Sequence, residues 1–137
     1  MRTVGSVSIE AVLIIPAFLL FLVLILAIGR IAMVKADLHA SVVNAARVAS
    51  METCSWCADT AARTAITTTL VADKVPCLDP DIVINAAALD QPPGQPGSVS
   101  ASITCVVQLS DLGVPGMPGQ IRITSSFATS IDPYVPG

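Results

Sequence analysis

Apolar residues change their spacing along this chain, and each spacing predicts a different element. From Ala11 to Gly29 the side chains are apolar without interruption, with Pro16 inside the run. As a helix this stretch would cover about 28 Å, close to the thickness of one hydrocarbon core. After it the apolar positions thin to a stripe: Ile31, Val34, Leu38, Val42, Ala45, Ala46 and Ala49 recur at three- and four-residue steps, the helical period. Lys35, Asp37, His39, Asn44 and Arg47 fall on the other faces, where His39 is expected simply to meet solvent. The stripe is rich in alanine, and small side chains let helix backbones approach closely.

A kink or break is expected at 52–57, where Thr53-Cys54-Ser55-Trp56-Cys57 offers Thr53 or Ser55 as an N-cap. Asp59 would then stand in the first turn of a second helix, where its charge is favourable. That helix should reach about Ala72 with Ala61, Ala62, Ala65, Ile66 and Leu70 inside. The run Thr67-Thr68-Thr69 weakens it, because β-branched residues lose χ1 freedom in helices. Val75-Pro76 closes the helical region.

Beyond that point the period becomes two. Val99, Ala101, Ile103, Cys105, Val107 and Leu109 alternate with Ser98, Ser100, Ser102, Thr104 and Gln108, predicting a strand from Ser98 to Leu109. Ile121, Ile123, Phe127 and Ile131 alternate with Arg122, Thr124, Ser126 and Ser130 in another, and Ile82 to Ala88 gives a weaker one. The connectors 91–97 and 113–119 are dense in proline and glycine, as turns require. The fold class expected is α+β: a long N-terminal membrane-spanning helix, kinked or broken near 52–57, then a small antiparallel three-stranded sheet packed on the helix. Its divisions are 6–30 in the membrane, 31–74 an outer helix region, and 75–137 a β domain.

With 53 % hydrophobic and only 12 % charged residues among 137, the composition is too apolar for a soluble domain of this size. The net charge of −3 is a thin scatter with no basic patch, which leaves nucleic-acid binding without support. A cleaved secretory signal fits poorly, since the apolar run exceeds the usual ~7–15 residues and no small-x-small site follows it. Charge bias alone, with Arg2 before the span and Arg30 and Lys35 after it, favours a cytoplasmic C-terminal side. The cysteines and the Ser/Thr-rich β region suit an oxidising exterior instead, and export is the reading adopted.

The four cysteines are read as two disulfides. The favoured pairing is Cys77 with Cys105, tying the start of the β region to its middle strand, and Cys54 with Cys57 at the helix break. Zinc is the next alternative, but Cys77 and Cys105 lack a second short spacing. Redox chemistry at Cys-Ser-Trp-Cys is another, although no βαβ pattern accompanies it. No other catalytic constellation is visible: the chain has one histidine, no paired carboxylates on one expected face and no phosphate-cradling glycine loop. No cofactor, metal or small-molecule substrate is expected, and an enzyme is not. Trp56 and Phe127 are the large aromatics that could serve a binding surface, with the core as their expected place.

The feature that most constrains function is Glu10, a carboxylate at the head of the apolar run. An ionised side chain within a bilayer costs at least ~2.5–3.5 kcal/mol on insertion scales, so it calls for a partner. Nothing in the apolar run can pair with it. Cutting the chain after Gly5 would create a free amine at Ser6, and that amine on one subunit could meet the Glu10 carboxylate of its neighbour. Such a pair would set axial register. Pro16 would let the helix stretch when a subunit passes from bilayer to filament.

Gly5, Glu10 and Pro16 at the head of an apolar helix resemble the processing and assembly motif of type IV pilin-like proteins. The Ser6-Val7-Ser8-Ile9-Glu10 wording and the offset of Pro16 are most similar to TadE-like pseudopilins of the tight-adherence (Flp) pilus system. The resemblance covers about the first thirty residues. It implies that 1–5 is a short leader removed by a membrane prepilin peptidase, with Gly5 the cleavage position, Ser6 the new N-terminus and Glu10 the assembly carboxylate. The partners implied are the membrane, the peptidase, other pilin or pseudopilin subunits and the assembly platform. The chain would sit in the cytoplasmic membrane with its C-terminal domain outside, then in a pilus or at the cell surface. The alternative is a single-pass exported binding module that never polymerises.

Overall fold

The computed structural model describes residues 6–92, 94–112, 116 and 118–131, with side chains from residue 11 onward. Helix α1 spans Ser6–Ser50 without interruption over 45 residues, which at roughly 1.5 Å per residue makes it about 67 Å long. Pro16 lies inside it and does not end it. The backbone closes α1 with short-range bonds, Met51 N–H to the Val48 carbonyl at 3.2 Å and Glu52 N–H to that of Ala49 at 3.3 Å.

Helix α2 runs Ser55–Ala72. Its N-cap is Cys54, not Thr53 or Ser55: the Cys54 backbone is extended and its Sγ accepts the Cys57 N–H at 2.9 Å. The disulfide to Cys57 holds that sulfur over the third helical amide, so no hydroxyl is needed. Asp59 consequently lies beyond the first turn and pairs with Arg63 at 2.8 Å. The threonines expected to weaken α2 turn their hydroxyls back onto the helix, Thr68 Oγ1 to the Thr64 carbonyl at 2.7 Å and Thr69 Oγ1 to that of Ala65 at 2.8 Å. At its other end Lys74 N–H bonds the Val71 carbonyl and Val75 N–H that of Leu70. This is the Schellman arrangement, with Lys74 at φ 51 where glycine is usual.

The buried stripe of α1 is Val34, Leu38, Val42, Ala45, Ala46 and Ala49, and that of α2 is Ala58, Ala62, Ile66 and Leu70. Ala61 and Ala65 are only half-buried. Ser41 joins the α1 stripe because its hydroxyl bonds the Leu38 carbonyl at 2.8 Å, leaving no orphan donor.

Strands β1 (Asp81–Asn85), β2 (Gly97–Gln108) and β3 (Gln120–Ile131) form one antiparallel sheet in the order β1-β2-β3. Ile103 is flanked by Ile82 and Ser125, and Cys105 faces Ile123. Alternation sends Val99, Ala101, Ile103, Cys105 and Val107 onto the helices, while the opposite face carries Ser98, Ser100, Ser102 and Thr104. The weak strand expected over Ile82 to Ala88 stops at Asn85, and Ala87–Asp90 forms a 3₁₀ turn. The molecule is thus α+β, with the sheet packed on a helical hairpin.

Candidate functional site

Between Val12 and Ile28 the large side chains of α1 all stand free of the rest of the chain, Leu13 at 73 % and Leu20 at 72 % exposure. A contiguous apolar surface of that length is not left to water. By length and composition α1 can cross a membrane. Gly5 lies outside the described residues, and so do the side chains of Ser6 and Glu10; the backbone places Ser6, Glu10 and Pro16 on one continuous helix.

From Ile31 onward the same helix becomes the spine of the head domain. His39 is exposed, yet more than solvated: Nδ1 lies 3.3 Å from the Ser125 hydroxyl, and the ring meets Phe127 edge-on at 6.4 Å. Phe127 is half-buried against the core. Trp56 does not enter the core and is 76 % exposed, because the buried face of α2 is set by Ala58, Ala62 and Ile66. Met51, in the connection between the helices, is 82 % exposed.

Cys77 is bonded to Cys105, whose side chain is fully buried, across a separation of 28 residues. Next to it Leu78 N–H bonds the Val106 carbonyl at 3.0 Å, so the chain leaving α2 is fastened to β2 before β1 begins. Cys54 and Cys57 form the other bridge, at the start of α2. Asp90, on the 3₁₀ turn, accepts the Ser55 N–H at 3.1 Å. Its carboxyl is held below the usual carboxylate range by the Ser55 hydroxyl first and the Ser55 amide second, and it offers α2 the N-terminal charge that Asp59 was expected to supply. No local pattern signals this contact, which joins residues far apart in the chain.

Thr67, Leu70, Lys74, Cys77 and Pro80 line a shallow, open hollow at the end of α2. Its polar side chains are Thr67 and Lys74, and no carboxylate, histidine or free thiol lines it. Among the described residues no group of His, Cys, Asp and Glu side chains is placed to hold a metal ion.

The arrangement is that of a membrane-anchor candidate: an N-terminal apolar arm continuous with the spine of a small, disulfide-tied α+β head. The TadE-like protein family matches this chain over residues 5–50, from Gly5 to the last residue of α1. The likeness covers the arm and the spine and leaves the head from Met51 onward unmatched. No curated protein and no solved structure matches the chain.

Proposed function

We propose that this chain is a structural, pilin-like subunit of a tight-adherence pilus or of its assembly machine, cut after Gly5 by a prepilin peptidase and packed through α1. The observation that carries the reading is the TadE-like match over residues 5–50, because it begins at the expected cleavage position and ends where α1 ends. TadE-like proteins are structural and pilus-associated, a role that needs surface and register and no catalytic group. The exposed apolar face from Val12 to Ile28 supports the same reading: it suits lipid before assembly and neighbouring α1 helices after it. In this scheme Ser6 supplies the new amine, Glu10 of an adjacent subunit its partner, and Pro16 the point of helix extension. The head stands outside the cytoplasmic membrane, where disulfides can form.

The test is the N-terminal sequence and intact mass of the protein from its native membrane, with and without the host prepilin peptidase. A start at Ser6 only when the peptidase is present is the expected result. An intact N-terminus in both strains would overturn processing and leave an exported membrane-anchored module. With processing established, Glu10→Gln should leave cleavage intact and abolish incorporation into the assembly; full incorporation would remove Glu10 from its role.

A further inference from the structure

The two disulfides sit in opposite surroundings. Cys105 is fully buried within β2, whereas Cys54 and Cys57 are half-exposed where α2 begins, with the exposed Trp56 between them in the sequence. That point lies about 33 Å along α1 from Ile28, at a rise of roughly 1.5 Å per residue, far from any bilayer holding the arm. Cys54 is the N-cap of α2, and its Sγ already accepts the Cys57 N–H at 2.9 Å. A thiolate at that place gains more from the amide and the helix end than a disulfide sulfur does, which favours the reduced form.

We propose that Cys54–Cys57 is a thiol–disulfide exchange site, reversibly reduced by a dithiol partner, while Cys77–Cys105 is a permanent tie. In the reducing direction a thiolate of the partner attacks Cys57 Sγ and the bond between the two protein sulfurs breaks. Its electron pair stays on Cys54 Sγ, and the Cys57 N–H donates to the thiolate so formed. The partner's second thiol, deprotonated, then attacks the mixed disulfide and expels Cys57 as a thiolate. The partner leaves oxidised with two electrons passed to this chain; the proton given up by its second thiol goes to Cys57, and Cys54 stays a thiolate at the helix end. In the reverse direction the Cys57 thiolate opens the partner's disulfide, and Cys54 then attacks Cys57 Sγ in the mixed disulfide and expels the partner's thiolate. Neither step requires α2 to unfold, because the helix begins at Ser55 and its other caps are untouched.

The charged groups on the elements that meet here are Arg47 in the last turn of α1, Glu52 in the connection, Asp59 and Arg63 on α2, and Asp90 on the 3₁₀ turn. Asp59 is paired with Arg63, which leaves Asp90 as the carboxylate bonded to the helix end and opposing a thiolate there.

The test uses the full chain in detergent micelles, equilibrated in dithiothreitol buffers of graded potential, followed by thiol trapping and peptide mass analysis. The lone tryptophan supplies a second readout, since a disulfide quenches a nearby indole and Trp56 should brighten on reduction. Cys54–Cys57 should be half-reduced at a dithiol-to-disulfide ratio at least about a hundredfold lower than Cys77–Cys105, about 60 mV for this two-electron couple. The helical circular dichroism should stay unchanged. In Cys57→Ser, which keeps the backbone amide, the alkylation rate of Cys54 should show a midpoint below the ordinary thiol value of about 8.5, and adding Asp90→Asn should lower it further. Reduction of both pairs together, loss of helix on reduction, or a Cys54 midpoint at or above the ordinary value would each overturn the proposal.

Discussion

Removing each disulfide in turn separates two ways in which a bridge can matter. Constraining the unfolded chain costs entropy that grows with the logarithm of the closed loop. The separation of 28 residues between Cys77 and Cys105 gives about 3.6 kcal/mol at room temperature on that model. The separation of 3 between Cys54 and Cys57 gives about 1.6 kcal/mol. The difference of about 2 kcal/mol is roughly a thirtyfold change in the ratio of folded to unfolded protein. Packing widens it, because Cys105 is fully enclosed and its truncation to alanine also removes core contacts. The assay is pulse proteolysis of the head across a urea series, comparing Cys77→Ala/Cys105→Ala with Cys54→Ala/Cys57→Ala in the full chain in micelles. Cys77→Ala/Cys105→Ala should lose clearly more stability. Equal losses, or a larger loss from the short loop, would refute the chain-entropy account and put the stabilisation in the capped start of α2.

Lys74→Gly should raise the stability of the head by about 1 kcal/mol, measured by the same proteolysis, because a side chain at left-handed φ is costly and glycine is not. Gly97→Ala should lower it by about 1–3 kcal/mol, since a new Cβ would come within 2.6 Å of Ala88 Cβ in the 3₁₀ turn. Asp90→Asn should flatten the acid limb of the stability profile. A carboxyl held below its usual range by Ser55 contributes stability above its unfolded value of about 3.9, and that contribution is lost as pH falls through the lower folded value. The wild-type chain should therefore lose more stability than Asp90→Asn on acidification through that window, followed by circular dichroism.

The layout of the head was legible because burial on one face leaves a period in the sequence. Val99, Ala101, Ile103, Cys105 and Val107 hold every second position, with Val106 the one apolar residue between them, and Val34 to Ala49 repeat at helical steps. The same logic overran at β1, where Ile82, Ile84, Ala86 and Ala88 continue the alternation past the true end. What stops the strand is a local contact, the Asn85 side-chain carbonyl accepting the Ala87 N–H at 3.4 Å, which competes with the ladder. The cap of α2 was missed for another reason: a sulfur acceptor lies outside the usual capping residues. Trp56 was misplaced because bulk and apolarity argue for the core, while position on α2 decides. For the candidate site the imbalance runs the other way. Gly5, Ser6 and Glu10 stand out in the sequence, while Gly5 and the side chains of Ser6 and Glu10 lie outside the described residues.

Because one helix serves as both arm and spine, the azimuth of the head is locked to that of the arm, like two gears keyed on one shaft. A single residue inserted between Gly29 and Val34 would advance the head by about 1.5 Å and turn it by roughly 100°. Seven would restore its facing to within about 20°. In any ordered array of such subunits, the length of that segment is therefore an angular setting, deciding which surface of each head its neighbours meet.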